Sequence, residues 1–172
     1  MDARQTRILI LKHLSFILLI VVLSVVQGAP SLLKWKAVCP MPLVACSTAI
    51  AIREGPFEGG LYGLLAGIIT DTWAFHFLGL ASLIFLSLGV AAGVLTRLLL
   101  HSSYTSAALI SAAAAFFYGF LAHQFIFSLW GYEGSQILYW QSLMPSSLFT
   151  GVWGVALFWA VGAIGKRFSA HT

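Results

Sequence analysis

Few side chains in this sequence could do chemistry, and the most conspicuous is a carboxylate set in apolar sequence. Asp71 ends a row, Gly59, Gly63, Gly67 and Asp71, in which every member is four residues from the next. An i, i+4 row stays on one helix face, drifting about 40° per step at ~3.6 residues per turn. In lipid, small residues let a second helix approach closely, and a carboxylate is costly unless it finds a partner or water. The row therefore reads as a contact surface with one charged end. An intramembrane aspartyl enzyme would need a second carboxylate sharing a proton with the first. The only other aspartate is Asp2, in the N-terminal tail, so that dyad is excluded.

The histidines and cysteines offer little more. A Ser–His hydrolase needs a serine, a base and an orienting acid within bonding reach. His123, beside Gln124, is the only deep histidine and has no nucleophile motif with it. It reads as a helix–helix hydrogen-bonding residue, with a substrate contact as the alternative. His76 and Asp71 stand five apart, and two ligands do not make a metal site. His13, His101 and His171 lie at helix ends beside basic residues and read as solvated. Cys39 and Cys46 are seven apart, about 10 Å along a helix, which is too far for a bridge. Both read as small buried hydrophobes, and no cofactor is expected.

The elements that must position these residues are membrane helices. Hydrophobic residues make up 60% of the chain and charged residues 8%, with mean hydropathy +0.95, against roughly 25% charged residues in a soluble domain. At 172 residues and about 20 residues per span, the expectation is an all-α polytopic bundle of six transmembrane helices forming a single domain, 1–172. The spans read as roughly 9–29, 38–53, 57–75, 78–99, 105–129 and 143–165. Arg4, Arg7 and Lys12 before Leu14–Val26 look like the start of a signal peptide. A cut after Ala29 would leave Pro30 first, and Gln27 occupies a position that wants a small residue, so this segment is read as a permanent span.

Charge sets the orientation. With both termini cytoplasmic, Arg4, Arg7, Lys12, Arg53, Arg97, Lys166 and Arg167 fall inside, leaving Lys34 and Lys36 outside, which satisfies the positive-inside rule. The basic residues are scattered over short inside segments rather than clustered, so nucleic acid is not an expected partner. The stretch from Arg53 to Glu58 reads as a tight reversal: Gly55 ends one helix, Pro56 opens the next, and Glu58 suits a positive helix N-terminus. Asp71, roughly 22 Å up that helix from Pro56, should lie near the outer boundary within reach of interfacial water. A packing or helix-capping role is favoured there over a partner contact, and both over catalysis or ion transport. Gly89 and Gly93, and further on Ala108 and Ala112, could each seat a neighbouring helix. The segment from Gly131 to Ser142, with Trp130 before it, is aromatic through Tyr132, Tyr139 and Trp140. It reads as an outer-interface element, a short flat helix or a partner-facing lip, after which Pro145 restarts the last span.

The run Arg53-Glu54-Gly55-Pro56-Phe57-Glu58-Gly59-Gly60-Leu61-Tyr62-Gly63-Leu64-Leu65-Ala66-Gly67-Ile68-Ile69-Thr70-Asp71, with Leu78-Gly79 and a following span that ends at Arg97, resembles the bacterial rod shape-determining protein family MreD. The resemblance covers most of residues 8–100 and becomes only general hydropathy after about 101. It implies a non-enzymatic component of the bacterial cytoplasmic (inner) membrane within the elongasome, the machinery that builds lateral peptidoglycan and maintains cell shape. The family is thought to bind MreC directly and, through it, to connect cytoplasmic MreB with RodA and its penicillin-binding transpeptidase. Carried over by position, the motif residues are Gly55, Pro56, Gly59, Gly63, Gly67, Asp71 and Gly79, with an architectural role. The plan is also similar to the substrate-binding S components of energy-coupling-factor vitamin transporters, the alternative. Those dock through a small-xxx-small face on the first helix, and here Leu14–Val26 has only Ser15 and Ser24 as small residues.

Overall fold

The computed structural model describes residues 3–28, 40–74, 79–98, 102–130 and 136–169. The side chains of 3–6, 9, 73–74, 126–130, 136–142 and 168–169 lie outside the description. Six helices account for nearly all of it: α1 (Ala3–Gly28), α2 (Pro42–Glu54), α3 (Pro56–Ala74), α4 (Leu80–Leu98), α5 (Tyr104–Trp130) and α6 (Gln136–Ser169). No strand occurs among the described residues. Four of the helices, α1, α4, α5 and α6, are long and apolar enough to cross a membrane.

The two remaining helices are of another kind. α2 has only 13 residues, about 20 Å at ~1.5 Å per residue, against a hydrocarbon core of ~30 Å. Every residue from Pro42 to Ile52 is buried, so α2 is the axis of the bundle with other helices around it. Its exposed-end problem is solved by other helices. Pro42 at the first position has no amide to satisfy, the Leu43 amide donates to Gln27 Oε1 of α1 at 3.3 Å, and the Met41 amide donates to Thr150 Oγ1 of α6 at 3.1 Å. In the centre, the Thr48 and Ser111 hydroxyls share a hydrogen bond of 2.9 Å between α2 and α5. Both side chains are fully buried, where a hydroxyl without a partner would be costly.

α3 has 19 residues and carries Glu58 and Asp71. It turns back from α2 at Gly55, whose amide closes α2 on Ala51 O at 3.0 Å and whose carbonyl accepts the first bond of α3 from the Gly59 amide at 2.9 Å. The expected reversal is present, with Pro56 as the first residue of α3. The basic residues meet around it. Lys12 Nζ pairs with Glu54 Oε2 at 2.5 Å, the Arg97 guanidinium lies over Gly55, and the Arg53 guanidinium lies over Gly162 and 4.0 Å from the Phe158 ring centroid. Lys12, Arg53 and Arg97 thus share one end of the bundle with the last turns of α6, where Lys166 and Arg167 are exposed.

One boundary expectation is corrected. The helix α6 runs unbroken from Gln136 to Ser169 with Pro145 inside it, so Pro145 does not open a helix, although the stretch long and apolar enough to cross a membrane is Leu143–Arg167. Membrane helices tolerate proline where their surroundings re-satisfy the freed backbone groups; the carbonyl that Pro145 deprives of a donor is that of Gln141, one turn earlier. The backbones of Trp130, Tyr139 and Trp140 are helical, but their side chains, and the whole of Tyr132, lie outside the described residues.

Candidate functional site: a glycine seam closed by Asp71

Helices α3 and α4 lie antiparallel, and their contact is built from backbone rather than side chains. A Cβ placed on Gly59 would come 2.9 Å from the Gly89 carbonyl oxygen, and one on Gly63 would come 2.9 Å from the Phe85 carbonyl carbon. On Gly67 it would come 2.7 Å from both the Ala81 carbonyl oxygen and the Ser82 amide nitrogen. From the other side, a Cβ on Gly93 would press on the Pro56 and Gly55 backbone. Real Cβ atoms do not approach backbone so closely, so glycine is required along the row, and Gly89 and Gly93 are the counterparts of Gly59 and of the turn. The close approach of small residues expected of the row is made here, and its partner is the next helix of the same chain.

Asp71 closes the seam. It is 6% exposed, and its two oxygens gather four donors at the start of α4. The Gly79 amide donates to Oδ2, the Ala81 amide to Oδ1 and the Ser82 amide to Oδ2, each at 3.0 Å, and the Ser82 hydroxyl donates to Oδ2 at 2.6 Å. The Gly79 carbonyl accepts from the Leu83 amide at 3.1 Å, which makes Gly79 the residue at which α4 begins. The first amides of any helix lack partners within it, and the positive end of the macrodipole favours a nearby anion. Asp71 therefore acts as an N-cap supplied by the preceding helix. The expected access to interfacial water is corrected on this point: amides and a hydroxyl take the place of water. Gly79 has φ +104°, a conformation in which a side chain is strained.

A second polar group lies at the opposite end of α3. His13 Nδ1 is 2.6 Å from the Tyr62 hydroxyl and 4.0 Å from Glu58 Oε2, while Phe16 meets the Tyr62 ring edge-on with centroids 5.5 Å apart. His13 is thus partly exposed, at 42% of its side chain, but tied to α3 through Tyr62. It lies on the inward stripe of α1 with Phe16, Ile20 and Leu23, which are buried, and that three- and four-residue spacing is the signal available in the sequence. Sequence reasoning also misses Ser82, because nothing in its spacing relative to Asp71 shows that a helix start will turn back onto the carboxylate.

The other candidates stay apart. Cys46 is buried in α2 as a free thiol, Cys39 and His76 lie outside the described residues, and His123 is half-buried on α5. Among the described residues no three His, Cys, Asp or Glu side chains converge as a metal site would require. With one donor on Oδ1 and three on Oδ2, Asp71 can hold the two helices in register. Compared with models of known protein families, with characterised proteins and with solved structures, the chain matches none.

Proposed function

We propose that the chain is a non-enzymatic membrane scaffold of the MreD type, a component of the elongasome in the bacterial inner membrane. One observation carries the reading. The seven residues on which the resemblance rests, Gly55, Pro56, Gly59, Gly63, Gly67, Asp71 and Gly79, are not scattered over the fold but form one continuous seam between α3 and α4. A motif spent wholly on closing a hairpin is what an architectural protein requires, and its only carboxylate is bound by four donors.

In this reading the chain crosses the membrane six times with both ends cytoplasmic. α2 and α3 complete the four longer helices, and the end where Lys12, Arg53 and Arg97 gather faces the cytoplasm, as the positive-inside rule favours. The short α2 is tolerable because protein, not lipid, surrounds it. The chain binds MreC and helps to link cytoplasmic MreB to RodA and its penicillin-binding transpeptidase. Since the glycine row is occupied by α4, the surface that meets MreC lies elsewhere on the bundle.

The test is co-purification in mild detergent with MreC, set beside a vitamin-binding assay on the same preparation. Retention of MreC without a small molecule supports the scaffold. Tight retention of a vitamin with no affinity for MreC overturns it in favour of a transporter component.

A further inference from the structure

Arg53, in the last turn of α2, has a side chain that is held in place rather than loose. Its guanidinium carbon lies 4.0 Å from the centroid of the buried Phe158 ring, which Tyr104 of α5 meets edge-on with centroids 5.2 Å apart. One turn further along α6, Gly162 leaves the space that the guanidinium fills, and a Cβ there would collide with it. Cation and ring attract each other, and a cation suits the negative end of α2. Neither supplies oxygen acceptors for the N–H donors of the guanidinium fork. Among the described residues no other group does so: the Arg53 side chain is in no ion pair and donates no hydrogen bond. Its neighbour Glu54 is already paired with Lys12 of α1, and Arg53 remains exposed.

The level at which the cation is held narrows the choice of acceptor. Phe158 precedes Lys166 by eight residues, about 12 Å of helix, and both belong to the apolar stretch Leu143–Arg167. A cation at that level is costly unless it pairs or reaches the headgroups. Phe158, Gly162 and Lys166 follow one another at intervals of four, so Lys166 continues the same face of α6 toward the end of the bundle. Arg97, over Gly55, brings a second guanidinium to the end of α2.

We propose that Arg53, with Lys166 further along the same face, binds the phosphate of an anionic phospholipid from the leaflet at this end of the bundle. The guanidinium fork matches two phosphate oxygens, and such bonds are charge-assisted. A phospholipid carries its phosphate at the border of the hydrocarbon, where Arg53 is held, and basic pockets between membrane helices bind such headgroups. A net-negative lipid is favoured over a zwitterionic one, because Arg53, Arg97, Lys166 and Arg167 stand at this end while Glu54 is neutralised by Lys12. The site requires the bundle to lie in a membrane but does not require MreC, so either assignment can fail while the other stands.

The test is native mass spectrometry of the full chain in detergent, titrated with phosphatidylglycerol, for the wild type, Arg53→Gln and Arg167→Gln. Arg53→Gln is expected to weaken binding about tenfold or more, and Arg167→Gln, which removes an equal charge from the same end, by no more than about fivefold. A loss in Arg53→Gln no greater than that in Arg167→Gln overturns the proposal and leaves only a general attraction to the basic end. A second readout needs no variant: the melting temperature of the wild type with phosphatidylglycerol, phosphatidylcholine or glycerol 3-phosphate at equal concentration. A larger rise with phosphatidylglycerol than with either of the others supports the site. Equal effects of the two lipids overturn it, and a rise as large with glycerol 3-phosphate overturns the lipid as the source of the phosphate.

Discussion

The Asp71 carboxylate and the Ser82 hydroxyl, eleven positions apart, meet at 2.6 Å where α3 ends and α4 begins. The same carboxylate takes the Gly79, Ala81 and Ser82 amides, so one side chain supplies most of what the start of α4 lacks. Replacing Asp71 by leucine leaves three amides and a hydroxyl in an apolar setting, a loss on the order of 3–6 kcal/mol. An asparagine side chain keeps one acceptor oxygen but turns an NH2 group toward a donor, so Asp71→Asn is expected to fall between wild type and Asp71→Leu. Ser82→Ala removes a single bond and should cost about 1 kcal/mol. Unfolding of the three variants in detergent checks the order, and an asparagine variant as damaging as the leucine one would make the charge, rather than hydrogen bonding, decisive.

Gly63→Ala places a methyl against the Phe85 backbone, and backbone cannot move aside as a side-chain tip can. A loss of about 1–3 kcal/mol is expected. Gly165→Ala is the matched control, because among the described residues nothing lies within 4 Å of the added atom and alanine restricts the unfolded chain. It should be neutral or gain about 0.5 kcal/mol. Melting temperatures of the two variants measure the contrast.

Gly79→Ala separates strain from crowding. Among the described residues no atom lies within 4 Å of the added methyl, yet φ is +104°, so a loss of about 1–3 kcal/mol is expected from backbone strain. Chemical denaturation of the purified variant reads it directly.

The Thr48–Ser111 bond ties the central helix to α5. A double-mutant cycle with Thr48→Val and Ser111→Ala should give a coupling of about 0.5–1.5 kcal/mol, the range for hydroxyl pairs between membrane helices. A coupling near zero would mean that the bonds of Thr48 to the Val44 and Ala45 carbonyls suffice alone.

Much of this is legible from residue types. Composition announces helices in a membrane, Gly55-Pro56 announces the reversal, and the four-residue spacing of Gly59, Gly63 and Gly67 announces a close contact. The partner is harder to see, because a glycine row looks the same whether it meets its own chain or another. Gly89 and Gly93 are visible as small residues, but only the antiparallel register sets them opposite Gly59 and Pro56. The basic neighbours of His13 suggest a solvated end, while Tyr62, its partner, lies 49 positions away. Pro145 reads as a boundary because local propensity disfavours proline inside a helix, whereas in the fold the helix runs through it.

The central claim is that the glycine row is spent inside the chain. The most direct measurement is the thermal stability of purified Gly67→Leu, alone in detergent, beside wild type. The seam predicts a marked fall in melting temperature or loss of the folded protein with no partner present, since leucine would have to occupy the space of the Ala81 and Ser82 backbone. A Gly67→Leu protein that unfolds with wild type but no longer retains a partner would contradict it and make the row an intermolecular surface.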